Sequence, residues 1–177
     1  MRVVFLDIDG VLNNDPWIAG QDRDRWYEGI QPDKGHLQMC RENVAFLGEI
    51  LALTGAKVVV SSAWRLHHTK EQIGAALRVH GVDADIVGAT PSITARPGFY
   101  GASPVQRGEE VIDWLADHPE VKGYVVLDDR TDFDGIEDHL VNTSSFTGLT
   151  CDDIDRAVEI CLRPCDEEVT SEFQMRA

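Results

Sequence analysis

The chain of 177 residues has no stretch approaching the ~20 consecutive apolar residues that a membrane-crossing helix needs, so no membrane partner is expected. It is also short of positive charge: 16 Lys and Arg stand against 31 Asp and Glu, a net charge of -15. That argues against a broad basic face for gripping nucleic acid, while leaving room for a small local basic pocket. Cysteine is scarce. Cys40, Cys151, Cys161 and Cys165 form no CxxC pair, and no matching Cys or His pair lies near Cys161 and Cys165, so reduced thiols are expected rather than zinc. The start, "MRVVFLDIDG", meets charge after six residues and does not read as a secretory signal. The expectation is an intracellular, cytoplasmic chain with no obligate protein partner in evidence.

What is present is an alternation of strand and helix. Val3 to Leu6 is a short apolar run. Residues 13 to 37 read as a flap or loop insertion, carrying Trp17, Trp26 and Tyr27. Cys40, Val44, Leu47 and Leu51 recur at helical spacing, and Gly55 is a natural stop. "KVVV" (57–60) is a second buried strand. Thr69 and Gln72 form a capping box opening a helix through Ile73, Ala76 and Leu77 that Gly81 closes. "ADIVG" is a third strand. Ser103 and Gln106 have the same box spacing, with Pro104 expected at the first helical position. "YVVL" (124–127) is a fourth strand and "HLV" (139–141) a fifth. Thr150 to Asp153 caps a last helix through Ile154, Val158 and Cys161. The expected organisation is a single domain over 1–164, followed by an acidic, loose tail over 165–177.

Such alternation predicts an α/β fold, a Rossmann-like three-layer sandwich on a mostly parallel sheet, with ligands bound beyond the carboxyl ends of the strands. Those ends are chemically pointed. The first strand runs into Asp7-Ile8-Asp9-Gly10, the second into Ser61-Ser62, the fourth into Asp128-Asp129. Asp7 and Asp9 face one side of an extended backbone, because side chains alternate with a period of two. Two carboxylates that close repel by a few kcal/mol at an effective dielectric of ~20. Four carboxylates at one edge call for a cation, and an all-oxygen set suits Mg2+ shared with a substrate phosphate.

"FLDIDGVLN", "VVVSSAWR" and "YVVLDDRTDF" resemble, in order, the first, second and fourth motifs of the haloacid dehalogenase-like (HAD) phosphohydrolases. "SSAWR", "RGEEVIDWL" and "LDD" look most like the compact HAD domain found in RNA-repair proteins, over residues 2 to 160. The resemblance implies a HAD-like fold and a division of labour. Asp7 is the expected nucleophile forming an aspartyl-phosphate, and Asp9 the general acid and then base. Mg2+ is expected on the Asp7 side chain, the Asp9 backbone carbonyl, Asp128 and Asp129. Ser61 is expected to hydrogen-bond a phosphoryl oxygen. Gly10 and Ser62 are expected beside the substrate. Arg107, in the first turn of a helix, is the candidate for the cationic third motif, with Arg96 its rival. Arg65 is placed to reach a second substrate phosphate, or else to pack across Trp64. Neither insertion point has room for a large cap domain, since residues 82 to 103 read as one short strand and loop. An open site suits a nucleic-acid 3'-phosphate end or a nucleotide; a small sugar or other metabolite phosphate is the alternative.

Other readings fit less well. "DRTDFDG" starts an EF-hand pattern at Arg130, but its twelfth position is Val141 rather than Glu. His67 and His68 are adjacent, so their rings diverge. A non-catalytic receiver-like module needs a phosphorylated Asp after the third strand, and here that strand ends "VGAT".

Overall fold

The computed structural model describes residues 1–20, 39–93 and 106–164, together with the backbone of 96–98 and 101–103. Trp26, Tyr27 and the 165–177 tail lie outside the described residues. In chain order the elements are β1 (Arg2–Leu6), α1 (Asp15–Gly20), α2 (Arg41–Thr54), β2 (Lys57–Val60), α3 (Lys70–Val79) and β3 (Ile86–Ala89). Then come β4 (Arg96–Gly98), β5 (Gly101–Ser103), α4 (Arg107–Ala116), β6 (Gly123–Asp128), β7 (Leu140–Asn142) and α5 (Ile154–Leu162).

The main sheet has five parallel strands in the order β3-β2-β1-β6-β7. The chain builds outward from β1 through β2 to β3, then returns to the other side of β1 for β6 and β7. The order therefore reverses between β1 and β6, which opens a crevice at the carboxyl ends of those two strands. Asp7 and Asp128 lie there.

Side-chain alternation divides the sheet between two cores. Val4, Leu6, Val58, Val60, Val125 and Leu127 face α2, α3 and α5, against Leu47, Leu77 and Ile160 among others. Val3, Phe5, Val59, Tyr124 and Val126 face α4, against Val111, Trp114 and Leu115. Both faces are covered, as parallel strands require, and full burial of such side chains contributes about 1.5–3 kcal/mol each. The same alternation carried past Phe5 and Val126 puts Asp7 and Asp128 on the α4 side.

Local signals behave differently along the chain. The Thr69–Gln72 capping box forms in both directions, and Gly55, at φ 62, ends α2. Thr150 and Asp153 form their box on a 3₁₀ turn leading into α5. The helix expected to open from a box at Ser103–Gln106 starts later. Ser103 belongs to β5, antiparallel to β4, and α4 starts at Arg107 behind a Gln106 that makes no side-chain cap. Asp132 caps the helix from outside, accepting the Arg107 N–H on Oδ2 at 2.9 Å and the Gly108 N–H on its carbonyl at 3.0 Å. Two further expectations change: α1 occupies part of the 13–37 insertion, and the 82–103 segment holds a β-hairpin besides its strand. Among the described residues no helix is long and apolar enough to cross a membrane.

Candidate active site

The site is built where the ladder stops. Asp7 N–H still donates to the Leu127 carbonyl at 3.0 Å, and Ser61 N–H to the Leu6 carbonyl at 2.8 Å. These last bonds fix three strand ends side by side. After Asp7 the chain turns: the N–H groups of Val11, Leu12 and Asn13 all donate to the Ile8 carbonyl. Extended backbone thus ends before Asp9, and the expected shared face of Asp7 and Asp9 gives way to two different surroundings.

Asp7 is 4% exposed and Asp128 fully buried. One carboxylate oxygen from each of Asp7, Asp128 and Asp129 lies within 4.8 Å of the other two. Arg107 closes this group on the α4 side, with Nη2 3.5 Å from Asp7 Oδ2 and Nε 3.9 Å from Asp128 Oδ2. Its Nη1 donates to the Ser61 carbonyl. Arg96, the rival, sits in the β4–β5 hairpin, paired through its backbone with Ser103.

The electrostatics are those of crowded acids. Burial pushes the Asp7 carboxyl above its ordinary range, against the Arg107 guanidinium, the Ser62 hydroxyl and the Ile8 N–H, which pull it down. Burial, then the Asp7 charge, push Asp128 up to about 7, opposed by Arg107. One cation does not neutralise three carboxylates, and Asp128 Oδ2 has no hydrogen-bond partner among the described residues. A buried oxygen left so is a costly feature unless something else binds it. The donor set, oxygen only and anionic, fits a hard divalent ion.

Asp9 stands apart from the group of three. It is exposed, and its Oδ1 accepts the Asn13 Nδ2–H at 2.9 Å and its Oδ2 the Trp64 Nε1–H at 2.9 Å. Its side chain is therefore no ligand within the acidic group, which has three carboxylates rather than four. Gly10 is where the turn meets the fourth motif. Its φ is 74°, and a Cβ there would overlap the Asp129 carboxylate. Thr143 Oγ1 donates to its carbonyl at 2.8 Å.

The two serines differ. Ser62 Oγ accepts the Trp64 N–H at 3.4 Å, capping a 3₁₀ turn, and lies beside Asp7. Ser61 is fully buried and its hydroxyl has no hydrogen-bond partner among the described residues. Arg65 is expected to reach a second substrate phosphate or else to pack across Trp64. It pairs with Glu110 at 2.6 Å, both side chains about a tenth exposed, and donates to the carbonyls of Ser62 and Pro91. Glu110 in turn accepts the Ile93 N–H, so the pair clasps the second motif, the hairpin's approach and α4.

Several contributors carried no local signal. Asn13, 3% exposed, orients Asp9 and accepts the Gly10 N–H; Asp132 sets where α4 begins and so where Arg107 sits. Partial burial opposes the Asp132 charge, but two Arg130 bonds of 2.8 Å and the Arg107 N–H hold its pKa below the ordinary value. Trp64 and Glu110 act on residues 55 and 45 positions away.

A five-stranded parallel sheet between helices, with acids at the adjacent ends of β1 and β6, defines a HAD-type α/β protein. The family model of the HAD domain in Swiss Army Knife RNA repair proteins matches residues 3–154. The chain belongs to that family, and a HAD-type phosphohydrolase is the general class it defines. No curated protein and no solved structure gives a significant match.

Proposed function

We infer that the protein is a Mg2+-dependent phosphomonoesterase that works through a phosphorylated Asp7. The observation that carries this reading is the convergence of Asp7, Asp128 and Asp129 within 4.8 Å, with Arg107 against the first two. Asp7 attacks phosphorus: its bond to phosphorus forms as the ester P–O bond breaks. Asp9 gives a proton to the departing oxygen, then takes one from the water that releases phosphate from Asp7. Arg107 neutralises charge on Asp7 and on the phosphoryl oxygens. The Ser61 hydroxyl, buried and without a hydrogen-bond partner among the described residues, has a donor to spend on one of those oxygens. The Asp7, Asp128 and Asp129 carboxylates and the Asp9 carbonyl would hold Mg2+, which would supply positive charge to offset their repulsion and to polarise the phosphoryl group. Monoester hydrolysis is among the slowest uncatalysed reactions, so this positioning and neutralisation must supply nearly all the acceleration.

The proposed substrate is a nucleic-acid end bearing a 3'-phosphate, or a nucleotide. The family's own description, as a domain of RNA repair proteins, favours it. So does the small size of the elements described between β3 and α4, a two-strand hairpin. The net charge of -15 favours instead a small sugar or metabolite phosphate, which needs no extended basic footprint. Phosphate release from a 3'-phosphorylated oligoribonucleotide, from mononucleotides and from sugar phosphates, each with Mg2+ and with EDTA, separates these readings. Asp7→Asn should abolish release from all of them. Equal or better turnover of the mononucleotides argues against end repair, and release that survives EDTA or Asp7→Asn overturns the mechanism.

A further inference from the structure

We propose that Trp64 is a positioning residue for proton transfer to the leaving group, through its indole N–H on Asp9; this rests on the reading of Asp9 as general acid. Asp9 is exposed and lies on a turn, where a carboxylate ordinarily samples several rotamers. Here both of its oxygens are held. Asn13 Nδ2 takes Oδ1 and Trp64 Nε1 takes Oδ2, each at 2.9 Å. Asn13 is itself fixed, because it is 3% exposed and its own Oδ1 accepts the Gly10 N–H at 3.2 Å.

Trp64 is fixed from the other motif. It sits on the 3₁₀ turn Ala63–Leu66, where the Trp64 N–H donates to the Ser62 hydroxyl and the Arg65 N–H to the Ser62 carbonyl, and its ring packs against His68 with centroids 5.5 Å apart. The Trp64–Asp9 bond therefore spans from the end of β2 to the end of β1. It sets the proton donor in register with Ser61 and Ser62, the groups expected to meet the phosphoryl oxygens. The chemistry of the two holders matters as much as their position. An indole N–H and an amide N–H2 donate and do not accept, so neither competes for the Asp9 proton. In the first step that proton passes from Asp9 to the ester oxygen as the P–O bond breaks and the Asp7–phosphorus bond forms. In the second, Asp9 recovers a proton from the attacking water as the bond from Asp7 to phosphorus breaks.

The test compares leaving groups. Esters with a basic leaving oxygen, such as a ribonucleoside 3'-monophosphate, need a well-placed acid. 2,4-Dinitrophenyl phosphate does not, because its phenolate leaves unaided. kcat/KM isolates the step up to leaving-group departure. In Trp64→Phe, kcat/KM should fall about 10- to 100-fold further on the nucleotide than on the dinitrophenyl ester, the scale of one hydrogen bond to a charged group. Replacing the Trp64 indole by benzothienylalanine, with sulfur in place of N–H in the same outline, should give the same split if Trp64→Phe fails to fold. An equal loss on both esters, or none, overturns the proposal. Asp9→Asn is the control: a large split there with none at position 64 rejects the role of Trp64 alone. No split in Asp9→Asn rejects the general-acid reading and the proposal with it.

Discussion

The ends of β1 and β6 each carry a pair of aspartates, and the two pairs are built alike but held differently. Each has an inner member, Asp7 and Asp128, buried on the α4 side with its carboxyl pushed upward by burial. Each has an outer member, Asp9 and Asp129, beyond the strand. In the β6 pair the residues are adjacent and the outer acid stays with the cluster. In the β1 pair Ile8 intervenes, the chain turns, and Asp9 is drawn to Asn13 and Trp64. The outer acid thus lies within the acidic cluster in one pair and outside it in the other. Acids alike in sequence differ in chemistry because of what the backbone does between them.

Breaking the inner member of the first pair should have the largest effect. Asp7→Asn keeps the size of the side chain but replaces the proposed nucleophile, and one of its two accepting oxygens, by an amide; phosphate release should drop about 10⁴-fold or more in a steady-state assay with folding intact by circular dichroism. Arg107→Ala tests what holds the two inner acids together. Turnover should fall about 10²- to 10³-fold, the scale for loss of one preorganised charge-stabilising donor.

Asp128→Asn tests the inner member of the second pair and should weaken Mg2+ binding, measured by calorimetry, by at least the roughly 10- to 100-fold that loss of an outer supporting partner costs. It should also change the pH dependence of the metal-free protein. Burial and the Asp7 charge push the folded Asp128 carboxyl up to about 7 from an ordinary 3.8, so the folded chain holds that proton more tightly than the unfolded one. Its contribution to stability is therefore complete below the ordinary value and lost as pH rises through about 7. In EDTA the melting temperature of the wild type should fall across that window, and Asp128→Asn should flatten the fall. Smallest is Gly10→Ala, which sharpens the contrast at the point where the pairs meet. A Cβ at a φ of 74°, against the Asp129 carboxylate, should lower stability by about 1–3 kcal/mol in urea denaturation.

Much of this was legible along the chain, and the limit is one of range. Val3–Leu6, Lys57–Val60 and Tyr124–Leu127 announce buried strands because both faces of a parallel sheet are apolar, and the polar residues that end them announce the edge. Thr69 with Gln72 and Thr150 with Asp153 announce helix starts because a capping box closes within four residues. Ser103 with Gln106 carries the same local pattern, but hairpin pairing to Arg96 claims Ser103 and Asp132 caps α4 from 25 residues away. The partner of Arg65 is not legible locally, because Glu110 lies 45 residues away. The destination of the Asp9 carboxylate was hidden for the same reason: Trp64 meets it only after the sheet has formed.

The most direct test is to quench the wild-type enzyme during turnover of a phosphate ester with Mg2+ present and to locate the transferred phosphoryl group by mass spectrometry of the peptides. The account predicts an acid-stable, hydroxylamine-sensitive phosphoryl group on the peptide containing Asp7, absent with EDTA. Phosphate release with no acyl-phosphate at Asp7, or with the label on another residue, would contradict it.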